Sequence, residues 1–292
     1  MTESQNRSGR PHRGRTMQLE MRTAVSPQQT WEAWADPTKL SQWFTDGARG
    51  EATPGSTMYW IFEKFGYEIP YEVVDAIPGK LLALGGELPG RPPFLLEVSI
   101  ERDGGETLLR LVNSGFLDGD AKWDEEYEGV ASGWEMALGL LRYYLERHFG
   151  EPKKTFLLVE PTACPPGEML KWFTDRELLA EWLTDGASDT VPPSTAGHRV
   201  RMPLGDGTRA IEGETLAMTR REVALSWEAE DAVLELKAFT MGPSPVVSVR
   251  GTAWQPDPER FVAIERVMGA ALKRLSGRLA EQTLGRAPTT KV

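Results

Sequence analysis

Few side chains in this 292-residue chain are of the types that carry covalent or metal chemistry. There is one cysteine, Cys164, and there are three histidines, His12, His148 and His198. A thiol becomes a nucleophile when a base or a helix N-terminus holds it ionised. Cys164 precedes Pro165 at the start of an expected helix, but no histidine lies near it in sequence, which favours a structural role. A lone cysteine excludes an intrachain disulfide. Three scattered histidines do not make a His/Cys metal set, and no carboxylate spacing suggests a cation loop, so neither metal nor cofactor is expected. Nucleophile-elbow, phosphate-loop and dinucleotide patterns are absent. Gly85-Gly86 and Gly104-Gly105 read as turn glycines, and His148 as a partner for a helix C-terminus.

What the chain offers instead is the chemistry of apolar binding. Met58, Trp60 and Phe62 share one face of an alternating run, with Tyr59, Ile61 and Glu63 on the other. Trp60, Phe62, Phe94 and Leu96, with Trp134 and Leu138 from a later helix, are the candidates to line a ligand site. Such sites are mostly apolar, with a few polar groups that fix orientation. Tyr59, Glu63, Tyr67 and Tyr71 are the candidates for that role. Alternation does not say which face of the strands turns inward.

The elements that position these residues follow from a stretch present twice. Trp34-Ala-Asp-Pro-Thr-Lys-Leu-Ser-Gln-Trp43-Phe-Thr-Asp-Gly-Ala48 aligns without a gap, at an offset of 139, on Phe173-Thr-Asp-Arg-Glu-Leu-Leu-Ala-Glu-Trp182-Leu-Thr-Asp-Gly-Ala187. That offset is far longer than a solenoid repeat, so each copy reads as a domain. Asp36 and Asp175 are placed to cap short helices, with Pro37 at a first helical position. Trp31 and Trp34 mark another short helix ahead of the first copy.

Along the first half, Met17 to Thr23 alternates as a strand. After the helix pair, strands are expected from Ser56, over Tyr67–Ile77, Lys80–Leu84, Phe94–Ile100 and Thr107–Val112. The period then changes to 3.6: Trp123 to His148 reads as one long helix with Val130, Trp134, Leu138, Leu141 and Leu145 in a stripe. The second half repeats the plan. A strand over Thr155–Val159 and a helix pair over Pro165–Leu183 precede five strands between His198 and Trp254. A long helix opens at Asp257-Pro258 and runs to about Leu284.

Composition bounds the class. Forty per cent hydrophobic and 26% charged residues are those of a globular chain, and no apolar run is long enough to span a membrane. The net charge is −10. Residues 1–150 hold 15 basic and 23 acidic side chains, the remainder 18 and 20. An acidic first half argues against binding to a nucleic-acid phosphate backbone, which needs clustered Lys and Arg, so no nucleic-acid partner is expected. Residues 1–15 are polar and read as a disordered arm without a secretory apolar segment, so a cytoplasmic protein is expected.

Trp34-Ala-Asp-Pro37, Leu40, Trp43-Phe44, Pro54-Gly55-Ser56 and Gly129-x-x-x-Gly133-Trp134-x-x-x-Leu138-x-x-Leu141-x-x-x-Leu145-Glu146 resemble the helix-grip domain of the SRPBCC (START-like) superfamily. Within it they are similar to the branch named for the C-terminal domain of the heat-shock-protein-90 ATPase activator. The resemblance covers residues 17–148 and is weaker in the second half, where Val267-Met268-Gly269 stands near the position of the Gly-Trp pair. It implies an α+β fold of two tandem helix-grip domains, 16–151 and 153–284, with a tail over 285–292. Each would be a curved antiparallel sheet around a long C-terminal helix, with two short helices after the first strand. It also implies an apolar cavity between sheet and helix, and most members of the branch have no known reaction.

The expected function is a binding module that sequesters, carries or senses a small hydrophobic molecule in the first domain. A co-chaperone-like interaction or regulatory protein is an alternative, with a protein partner or a second copy of the chain. A polyketide aromatase/cyclase-like enzyme is another, against which the scarcity of histidine weighs. The second domain, with Arg199 and Arg201 where the first carries aromatics, is expected to be filled.

Overall fold

The computed structural model describes residues 15–87, 93–117, 121–241 and 244–285. The polar arm, apart from Arg15, and the tail beyond residue 285 lie outside the described residues. The fold is α+β, with a seven-stranded and a six-stranded antiparallel sheet. Two compact units are present, one of residues 1–41 and 45–131, the other of residues 42–44 and 132–292.

In the first unit, β1 (Arg15–Thr23) is followed by α1 (Pro27–Ala35) and α2 (Pro37–Ser41). The Ser26 hydroxyl accepts from Gln29 N at 3.2 Å and starts α1; Asp36 Oδ1 accepts from Thr38 N at 2.8 Å and starts α2. Both helices thus begin where a short side chain satisfies backbone donors that have no partner within the helix. A short strand that sequence reading missed, β2 (Gly47–Arg49), precedes β3 (Thr57–Phe62). Then come β4 (Tyr67–Ile77), β5 (Leu81–Gly86), β6 (Phe94–Asp103) and β7 (Glu106–Phe116). The order across the sheet is β1-β7-β6-β5-β4-β3-β2, and α1 packs against β5, β6 and β7.

The long helix α3 (Ala121–Arg147) crosses the division between the units after Ala131. Its start is tied to the first sheet, where Arg15 pairs with Asp124 at 2.8 Å and Phe116 meets Tyr127 edge-on at 5.2 Å. From Trp134 to Leu145 every residue is buried except Glu135, Gly139 and Arg142. This is wider than the single stripe its sequence pattern suggests, and a helix apolar on most sides must be covered on most sides. Within the second unit, Gly139 approaches the backbone at Leu216 and Ala217.

The second unit's strands are β8 (Lys153–Pro161), β9 (Arg199–Pro203), β10 (Ala210–Met218), β11 (Glu222–Trp227), β12 (Ala232–Met241) and β13 (Ser244–Trp254). They are ordered β8-β13-β12-β11-β10-β9, so the first and last strands pair in both sheets. Between β8 and β9 lie α4 (Leu170–Thr174) and α5 (Arg176–Leu179), the latter capped by Asp175 through Glu177 N and Leu178 N. The final helix, α6 (Pro258–Gly285), packs against β8 and β13. Its Phe261, Ile264, Met268, Leu272 and Leu275 join Trp172, Phe173, Trp182 and Trp227 in one core. Repeat-related positions are buried alike: Trp34 and Phe173, Leu40 and Leu179, Trp43 and Trp182, Thr45 and Thr184.

Candidate functional site

The first sheet turns inward the face that carries Met58, Trp60 and Phe62. Side chains alternate along a strand and directly opposed residues share a face. Trp60 pairs with Ile69, Met58 with Tyr71, Leu84 with Leu96 and Val98 with Leu111, and all but Ile69 are buried. No charged residue stands at these positions. The sequence left the choice of face open; the register and burial settle it.

Aromatic rings run along this face. Trp34 of α1 meets Trp60 at 6.3 Å between centroids, Trp60 meets Tyr71 at 4.4 Å, and Tyr71 meets Phe94 edge-on at 5.7 Å. The first two pairs are tilted, and the edge-on third suits the ring quadrupoles. The row continues to the β3–β4 hairpin, where Phe62 and Tyr67 are 5.2 Å apart and Phe65 and Tyr67 are 6.2 Å apart. There the rings reach solvent: Phe65 is 46% exposed and Tyr67 51%.

Two glycines make room for Phe94. Gly86, read from sequence as a turn residue, is instead the last residue of β5 and lies opposite Phe94. A Cβ there would stand 2.4 Å from the Phe94 ring. On the other side Gly115, with φ of 97°, would bring a Cβ to 2.6 Å from the Pro93 carbonyl oxygen. Gly104-Gly105, by contrast, do form the β6–β7 turn.

Tyr71 is the polar group at the centre of the row. It is 6% exposed, and its hydroxyl makes no hydrogen bond among the described residues. Burial, with a smaller contribution from Tyr67, raises its pKa well above that of an ordinary phenol, so it remains an uncharged phenol. Burial likewise raises the Tyr67 phenol.

The residues singled out from sequence separate into three groups. Trp60, Phe62, Phe94 and Leu96 share the inward face of the first unit. Tyr59 lies on the opposite face, beneath the Arg49 guanidinium at 3.5 Å from the ring centroid. Glu63 is not in a strand at all: Glu63–Phe65 forms a tight turn that ends at left-handed Gly66. Trp134 and Leu138 are buried residues of the second unit, with Trp134 stacked on Phe44 at 5.4 Å. Tyr71 was visible in sequence only as one of four polar candidates; its parity with Val73 was the signal that marked its face.

The remaining chemistry-bearing residues have other surroundings. Cys164 is half-buried beside a cleft of about 160 Å³ with Glu168, Lys171 and Trp172. The expected helix does not begin beside it, since Pro166–Glu168 is a short 3-10 turn. His148 stacks flat on Trp254 at 4.4 Å and its Nδ1 lies 3.0 Å from Glu151. Among the described residues no cluster of His, Cys, Asp and Glu suits a metal ion.

The second unit departs from the expected pattern. Arg199 and Arg201 do not occupy the positions of the first unit's aromatics. Along β9 it is Val200 and Met202 that are buried, while Arg199 pairs with Glu228 and Arg201 with Asp189 and Glu212. The register of the repeat has slipped after the longer loop that carries Pro192-Pro193, so charges at constant offset fall on the outer face.

An α+β fold with sheets of this order is consistent with two helix-grip domains. Residues 24–146 match the family model described as Activator of Hsp90 ATPase homolog 1-like protein. That match supports a ligand-binding or regulatory module, and it falls on the segment whose motifs resemble the same branch. Among solved structures, DynU16, a putative protein in the dynemicin biosynthetic locus, is 15% identical. The likeness covers 90% of this chain and 98% of that one, with a TM-score of 0.41. The Aha1 dimer from Colwellia psychrerythraea is 19% identical over 45% of this chain and 96% of its own, with a TM-score of 0.40. CalU16 from Micromonospora echinospora is 20% identical over 45% and 76%, with a TM-score of 0.38. No curated protein matches the chain. No helix among the described residues is long and apolar enough to cross a membrane.

Proposed function

We propose that the protein is a binding module for a small hydrophobic molecule, which it holds against the inward face of the first sheet. The observation that carries this reading is the row Trp60–Tyr71–Phe94, buried at one end and open at Phe62 and Tyr67. An uncharged aromatic surface that grades from core to solvent suits an apolar guest. Trp60, Phe62, Phe94 and Leu96 line the site, and the domain concerned is 16–151. Tyr59 and Glu63 stand off this face and would not touch the guest.

The test is titration of the full chain with Nile red, a neutral dye that brightens in apolar surroundings. Saturable binding that weakens by about 2- to 12-fold in Phe94→Ala, from loss of an aromatic contact of about 0.5–1.5 kcal/mol, is the expected result. An absence of saturable binding, or binding indifferent to Phe94, refutes the reading.

A regulatory role through a protein partner is the second reading, favoured by the exposed Phe65 and Tyr67 at the hairpin tip. Phe65→Ser distinguishes the two, since it should leave dye binding intact.

A further inference from the structure

We propose that the cleft beside Cys164 is a second binding site, and that it takes a small zwitterion with an apolar body, an apolar α-amino acid in its free form. The site belongs to the second unit and is independent of the binding reading above, which concerns the first sheet. The cleft measures about 160 Å³. A cavity of about 150 Å³ takes a benzene-sized guest, so this one has room for roughly six to nine heavy atoms. Its walls come from the Pro166–Glu168 turn and α4 on one side and from Leu279 and Gln282, near the end of α6, on the other. No strand residue lines it.

The two charges in the walls are opposite in sign. Glu168 and Lys171 stand three residues apart on one helical turn, in which Met169 N donates to the Pro166 carbonyl at 3.2 Å and Trp172 N to the Met169 carbonyl at 2.9 Å. Side chains at that spacing are neighbours on a helix surface. Both are exposed, and neither has an ion-pair partner among the described residues. Pro165, Trp172 and Leu279 are the apolar part of the lining. An anion would meet the like charge of Glu168 and a cation that of Lys171, whereas a molecule carrying both signs complements the pair. In a free α-amino acid one carbon separates ammonium from carboxylate, which suits side chains one helical turn apart. Lys171 Nζ then holds the carboxylate and Glu168 the ammonium, while the amino acid's side chain rests on the apolar lining. Charge pairs open to water contribute little, so binding is weak, at about the millimolar level.

The experiment is saturation-transfer NMR on the methyl protons of L-leucine added to the full chain. Saturable transfer is expected. N-acetylleucine and leucinamide, which each lack one of the two charges, should bind about 2- to 5-fold more weakly. Lys171→Gln and Glu168→Gln, both at exposed positions, should weaken leucine binding by the same factor. Cys164 is the one cysteine and lines the cleft, so its alkylation by iodoacetamide should slow in step with the leucine titration. Absence of saturable transfer, equal binding of the three compounds, or binding unchanged in both variants would overturn the proposal. Saturable transfer that leaves alkylation of Cys164 unslowed would place leucine elsewhere and overturn it as well. If the thiol is unreactive without leucine, the two variants decide.

Discussion

Two glycines on one helix are expected to respond to the same substitution with opposite signs. Gly133 and Gly139 both lie within α3, where glycine is less favourable than alanine by about 1 kcal/mol. At Gly133 a Cβ meets nothing within 4 Å, so Gly133→Ala should stabilise the protein by about 0.5–1 kcal/mol. At Gly139 the added carbon would stand 2.9 Å from Ala217 Cβ and 3.0 Å from the Leu216 carbonyl oxygen. Carbon pairs attract best at about 3.5–4.0 Å, and here one neighbour is backbone, which cannot swing aside. Overpacking of this kind costs about 1–3 kcal/mol, and the propensity gain offsets only about one of these. Gly139→Ala should therefore leave the protein less stable than Gly133→Ala by about 1–3 kcal/mol. Urea unfolding of the full chain, followed by tryptophan fluorescence, measures the difference as a shift of midpoint at constant slope. A Gly139→Ala midpoint at or above that of Gly133→Ala would refute the close approach of α3 to β10.

Further perturbations probe two polar groups of the second unit. The Tyr143 hydroxyl is buried without a partner among the described residues, and burial pushes its pKa up to about 12, so Tyr143→Phe should raise stability by about 1 kcal/mol. A thermal midpoint lowered by that change would show that the hydroxyl has a partner after all. Glu135, which stays exposed on α3, is raised above its ordinary pKa by partial desolvation and by the charge of Glu222, whose own carboxylate is held by Lys237 at 3.0 Å and Ser132 at 3.0 Å. A carboxyl raised on folding makes the native state bind more protons, so its unfavourable contribution grows as pH rises from the unfolded pKa through the folded one. Glu135→Gln should thus be more stable than the native chain at pH 7, with the difference vanishing below the ordinary carboxylate range. A pH-independent difference in urea midpoints would refute that assignment.

Much of the architecture is determined by residues close in sequence. Ser26, Asp36, Asp175 and Asp257 start their helices through donors two or three residues on, so each cap is legible from a window of four. Period-two alternation marks β3 and β4, and period 3.6 marks α3 and α6, because burial on one face needs only the geometry of the element itself. The inventory of side chains likewise excludes an intrachain disulfide, since Cys164 is the one cysteine.

What only the tertiary structure decided depends on residues far apart in the chain. Alternation gives two faces of β3, but which one turns inward rests on its pairing through β4 with β5 and β6, and this separates Trp60 and Phe62 from Tyr59. Gly86 looks like a turn residue by type; the Phe94 ring across the strand explains why no side chain fits there. Arg199 and Arg201 fell on the outer face because a longer loop shifted the register by which they were compared. The breadth of burial around α3 came from contacts that a stripe of apolar residues does not encode. Tyr71 is the sharpest case: its type and parity were in the sequence, but the absence of a hydrogen-bond partner is a property of everything folded around it.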